Sequence, residues 1–128
     1  MSTPCRLLVV DDDPTIREML DMVLASEGYE VITAAHGAAA LALVEQRRPH
    51  VILLDMKMPV MDGWEFLRQY RQRPGAKVPI VVITAAQDDR REAADIGAQA
   101  YIAKPFAIDD LLRAVDQCVA AGPRGPSC

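Results

Sequence analysis

Four apolar runs of this chain end on residues that could do chemistry. "RLLVV" runs into Asp11, Asp12 and Asp13; "VILLD" closes on Asp55; "PIVVIT" closes on Thr84; "AYIAK" closes on Lys104, with Pro105 behind it. A carboxylate that ends a strand buried on both faces is unfavourable unless it lies at an open edge or has partners. If Asp11, Asp12 and Asp55 converge, up to three negative charges lie within a few ångströms, and their repulsion favours uptake of a proton or a cation. Oxygen ligands with no His or Cys among them favour a hard ion. A partly filled site completed by water and phosphate suits Mg2+. The backbone carbonyl of a loop residue just past Asp55 would be a further ligand.

A divalent cation held by carboxylates, with an ammonium and a hydroxyl beside it, is a set of parts for phosphoryl transfer, where catalysis is mostly positioning and charge neutralisation. A carboxylate can itself be the nucleophile, which gives an aspartyl phosphate. Lys104 would pair with the phosphoryl oxygens, and Thr84 would donate its hydroxyl to another of them. Plainer readings stand beside these. The three aspartates could merely cap and solubilise a helix start, Thr84 could be an ordinary β-branched strand residue, and Lys104 could be a surface lysine. Pro105 bears on the last, because the residue before a proline is held extended, which restrains the lysine.

The elements that must position these residues follow from periodicity. Strands are expected at 6–10, 30–34, 51–55, 79–84 and 100–104. Ile16, Met19, Leu20, Val23 and Leu24 have the spacing of an amphipathic helix from Pro14 to about Ser26, stopped by Gly28. Pro14 suits the first helical position, and Asp13 before it suits the N-cap. With Asp13 so occupied, Asp11 and Asp12 become the metal pair. Further helices are expected over Gly37 to Arg47, with Leu41 and Val44 inward; Gly63 to Arg71, with Trp64, Leu67 and Tyr70; Asp88 to Ile96; and Ile108 to Ala120. Strands alternating with helices predict a parallel sheet covered on both faces by right-handed crossovers. Ligands in such sheets sit at the carboxyl ends of the strands, where the four polar strand ends lie.

The 128 residues fit one domain, and the 51% apolar and 25% charged fractions are those of a globular protein. No apolar run approaches a membrane span, and no cleavable hydrophobic leader is seen, so a cytoplasmic location is expected. A net charge of −4, with basic residues only in short pairs, argues against direct nucleic-acid binding. Cys5, Cys118 and Cys128 are far apart and odd in number, a pattern of free thiols rather than a disulfide frame or zinc site. Oxidation at Cys128 could cross-link two molecules as a handling artefact. Residues 122–128, "GPRGPSC", read as a disordered tail or the start of a linker after a domain over residues 1–121.

The set "VVDDDP", "VILLDMKMPVMDGW", "VVITA" and "AYIAKPF", in this order and spacing, resembles the receiver domain of bacterial two-component response regulators from residue 5 to about 120. The resemblance implies an α/β fold: a five-stranded parallel sheet in the flavodoxin-like order 2-1-3-4-5, flanked by five helices. It implies that Asp55 accepts the phosphoryl group, that Asp11, Asp12 and Asp55 hold Mg2+ with the backbone carbonyl of Lys57, and that Thr84 and Lys104 sense the phosphate. Tyr101 matches the switch aromatic, and the readout face is that of the fourth helix, fifth strand and fifth helix. A histidine kinase or a histidine phosphotransfer protein would be the donor. The receiver would assist its own phosphorylation and dephosphorylation without being an enzyme otherwise. A downstream partner or an output domain would take the signal, and a phosphorylation-dependent homodimer is compatible with the family. Lys57 and Ala86, two positions past Asp55 and Thr84, are poorly suited to orient an attacking water, so slow self-dephosphorylation is expected.

Two other classes of protein share this topology or chemistry. A flavin or nucleotide carrier of this topology needs a glycine-rich or Ser/Thr-rich phosphate loop, whereas "DDDPT" repels phosphate without a metal. A phosphatase with an aspartate nucleophile would use the spacing of Asp11 and Asp13, but leaves Asp55 unused.

Overall fold

The computed structural model describes residues 5–55, 63–75, 77–85, 100–104 and 106–121. The apolar runs form strands β1 (Arg6–Val10), β2 (Glu30–Ala34), β3 (Val51–Asp55), β4 (Ile80–Ala85) and β5 (Ala100–Lys104). Between and after them lie α1 (Pro14–Ser26), α2 (Gly37–Arg47), α3 (Gly63–Gln72) and α4 (Ile108–Ala121). The strands make one parallel sheet in the order β2-β1-β3-β4-β5, as expected. The last of the expected helices is α4 here. The expected helix over 88–96 and the tail at 122–128 lie outside the described residues. β4 starts one residue later than expected, at Ile80, because Pro79 has no N–H; its carbonyl still accepts from Ile52 N–H at 3.0 Å.

Alternation along the central strands divides the core. Leu8, Val10, Ile52, Leu54 and Val82 face Leu41 of α2 and Phe66, Leu67 and Tyr70 of α3. Leu7, Val9, Leu53, Val81 and Ile83 face Leu20 and Leu24 of α1 and Leu111 and Val115 of α4. All five residues of β3 are buried, which is why that strand reads as an unbroken apolar run rather than an alternating one.

The helix ends follow their sequence signals. Asp13 is extended (φ −85°, ψ 113°), and its side chain accepts from Thr15 N–H at 2.9 Å. At the other end Gly28 takes φ +95°, its N–H bonds to the Ala25 carbonyl at 3.0 Å, and Tyr29 N–H bonds to the Leu24 carbonyl at 3.2 Å. Those two bonds close the helix around a left-handed residue, a conformation glycine adopts without a Cβ penalty. α2 is capped by a residue not singled out from sequence: His36 Nδ1 accepts from Ala39 N–H at 3.2 Å.

The opposite end of the sheet is tied by Arg6. Its N–H donates to His50 Nδ1 at 2.8 Å, and its guanidinium bonds to the Glu30 carboxylate and the Arg47 carbonyl. The Tyr29 hydroxyl donates to the Asp116 carboxylate, joining the α1–β2 turn to α4. The reading of three free thiols needs correction: Cys118 is free and buried, but Cys5 takes part in a disulfide. Distance along the chain does not decide pairing, since a disulfide depends on nearness in space.

Candidate functional site

The site is built by strand register. Val10 pairs with Leu54, so Asp11, the next residue, comes level with Asp55 across adjacent strands. Asp55 in turn pairs with Ile83, one residue before Thr84, and Thr84 pairs with Ala103, one residue before Lys104. From β3 toward β5, each polar strand end is thus offset by one residue from its neighbour. Register therefore brings the four polar ends expected from sequence to the same edge of the sheet. For Thr84 and Lys104 that statement concerns the backbone.

Among the described residues, Asp11 (0% exposed) and Asp55 (4%) are the buried charged groups, and Asp12 is exposed. One oxygen from each of Asp11, Asp12 and Asp55 lies within 4.8 Å of the others. Asp11 and Asp55 continue the side-chain alternation of Val9 and Leu53, so they rise from the sheet face covered by α1 and α4. Buried carboxylates gathered this closely are stable when paired or when they coordinate a cation. The donors are all oxygen, two are buried and one is open to water. That arrangement fits a hard divalent ion that retains some water, and Mg2+ in particular.

The loop that carries the pair is held by short bonds. Asp11 N–H donates to the Ala34 carbonyl at 3.1 Å, and Asp13 N–H donates to Asp11 Oδ1 at 2.9 Å. Asp13 itself is spent on the helix cap, as the proline behind it predicted. A reading in which Asp11 and Asp13 act together therefore loses its second member.

Tyr101 lies on β5 opposite Val82, and it is 40% exposed. Lys57 and Ala86 lie outside the described residues. Arg17, which carries no role in the sequence motifs, donates through Nη1 to the Asp11 carbonyl at 2.7 Å. A signal for it was present: an arginine in the first turn of a helix opposes the positive end of the helix dipole and needs a partner elsewhere.

The fold has counterparts among known proteins. The family model of the response regulator receiver domain matches residues 7–116. Response regulator MprA of Mycobacterium sp. (strain KMS) is 44% identical over 111 residues, which cover 85% of this chain and 48% of that protein. The chain thus spans about half the length of the curated relatives it matches. The crystallised chemotaxis response regulator CheY4 of Vibrio cholerae superposes with a TM-score of 0.84 at 37% identity, covering 91% of this chain and 99% of that one. Response regulator protein TrrA of Thermotoga maritima, solved in complex with Mg2+-BeF, gives a TM-score of 0.80 at 34% identity, covering 89% of this chain and 98% of that one. A match that begins at Leu7 in β1 and ends at Asp116 in α4 takes in every strand and all three clustered aspartates, and the chain belongs to the response regulator receiver domain family.

Proposed function

We propose that Asp55 accepts a phosphoryl group from a histidine kinase or a histidine phosphotransfer protein, and that this switches the protein between two signalling states. One observation carries the reading: Asp55 ends a strand that is buried along its whole length and stands within 4.8 Å of two further carboxylates that belong to a different strand end. Asp11, Asp12 and Asp55 would hold Mg2+ together with the Lys57 carbonyl. A bound Mg2+ supplies neutralisation of the negative charge that carboxylate and phosphoryl group bring together.

The Asp55 carboxylate attacks phosphorus, an O–P bond forms, and the bond from phosphorus to the donor's nitrogen or oxygen breaks, the donor leaving with its electron pair. Lys104 and Thr84, at the ends of β5 and β4, receive the phosphoryl oxygens by charge and by hydroxyl hydrogen bond. Tyr101, exposed in this structure, turns inward as Thr84 moves toward the phosphate. The β5 and α4 surface, with the segment at 88–96, is the face that a downstream partner or an output domain reads. A second copy of the chain is one such partner. The receiver comprises residues 1–121, with 122–128 as tail or linker, and works in the cytoplasm. It assists its own phosphorylation and dephosphorylation and turns over no other substrate.

The test is intact mass after incubation of the chain with Mg2+ and acetyl phosphate. The expected result is a gain of one phosphoryl group that disappears in Asp55→Asn and in the absence of Mg2+. No gain with any donor would identify a receiver that acts by contacts alone.

A further inference from the structure

Arg17 is placed where the local structure of α1 disfavours it. It lies in the first turn after Pro14, a turn with no acidic residue to pair with it, and its positive charge faces that of the helix N-terminus. The guanidinium donates through Nη1 to the Asp11 carbonyl at 2.7 Å. Arg17 is half-buried, and Asp11 is fully buried with its carboxylate among those of Asp12 and Asp55. Carbonyl and carboxylate belong to the same residue, so the guanidinium charge lies within about one Debye length, ~10 Å at 0.1 M salt, of the acidic group.

We propose that Arg17 is a resident positive charge that sets how tightly the acidic site of Asp11, Asp12 and Asp55 holds a divalent cation. The inference rests on the reading of those aspartates as a Mg2+ site. Arg17 has two effects of opposite sign. Its bond steadies the Asp11 backbone, which favours a cation, and its charge repels one. The first effect is the smaller, because the loop is independently held by Asp11 N–H on Ala34, Asp13 N–H on Asp11 Oδ1 and Thr15 N–H on Asp13. The charge decides the sign. Arg17 offsets part of the negative charge of the empty site and keeps the loaded site from holding its ion too firmly.

The test is calorimetric titration of the full chain with Mg2+, comparing Arg17, Arg17→Gln, Arg17→Met and Arg17→Lys. At low ionic strength both neutral variants are expected to bind about three- to tenfold more tightly than the unaltered chain, and the difference is expected to fall below about twofold near 0.5 M salt. Arg17→Lys, which keeps the charge and loses the fork, is expected to restore the weaker affinity and its salt dependence. A merely structural role would not produce a gain in affinity that salt removes. Equal or weaker binding by the folded neutral variants at low salt, or a gain that salt leaves unchanged, overturns the proposal. Absence of Mg2+ binding by the unaltered chain overturns the metal-site reading instead.

Discussion

A carboxylate at the end of a buried strand is tolerated only while something nearby compensates it, and here the compensation is divided among residues. Asp13 satisfies the helix start, which leaves Asp11 and Asp12 available to the proposed cation. The same division applies to the fate of a phosphorylated Asp55. Its hydrolysis needs a group that accepts a proton from water, and the residues at 57 and 86 are a lysine and an alanine. Ala86→Glu is therefore expected to shorten the lifetime of the phosphorylated protein, on the order of tenfold or more by the usual worth of a general base, measured as decay of the phosphorylated mass after the donor is removed. An unchanged decay rate would show that water is oriented by some other group.

At the scale of elements, strands and helix stops were legible because their causes are local. The DDDP sequence announces a capped helix with a proline at its first position, and Gly28 announces its end; the structure has both. The convergence of Asp55 with Asp11 was legible only through a rule about sheets, since register between β1 and β3 is not encoded near either residue. Arg17 and His36 bond to groups only six and three residues away, and their signals are local but weak. The disulfide at Cys5 was not legible, because a disulfide depends on nearness that folding creates. The tie at the opposite sheet end is of the same kind and makes a prediction. The hydrogen bond from Arg6, aided by the charges of Arg6 and Arg47, lowers the Glu30 pKa from its usual 4.5. A carboxylate whose folded pKa is depressed contributes stability that is present above the unfolded value and is lost as pH falls through the folded value. Glu30→Gln should accordingly lower Tm at pH 7, and the gap from the unaltered chain should close as pH drops below 4.5. A gap that stays constant across that window would remove Glu30 from the tie.

For the whole molecule, the site trades stability for a place to hold charge. Three carboxylates within 4.8 Å repel one another, and a cation bound among them, as proposed, would lessen that repulsion. Without divalent ions, Asp55→Asn should therefore melt above the unaltered chain. Saturating Mg2+ should raise the unaltered chain by about 2.7 kcal/mol at a hundredfold excess over Kd, on the order of 5–10 °C in Tm, and should move Asp55→Asn much less. Equal responses of the two proteins in a thermal scan would place the ion elsewhere. Among the described residues no helix is long and apolar enough to cross a membrane, and two helical layers close over the sheet.

The strand order has one more consequence, and it concerns assembly. No two neighbouring strands of the β2-β1-β3-β4-β5 sheet are joined by a tight turn, since every pair is parallel. Long chain loops must therefore close before the ladders form, and the pairing of β1 with β3 closes one of the longest. That pairing is also the event that brings Asp11 against Asp55. An N-terminal fragment ending before Val51 could form α1 and pair β1 with β2, yet would contain only part of the cation site. With the ion held as proposed, binding would be available only to chains whose two central strands have already met, so the same site would also certify that the receiver has finished folding.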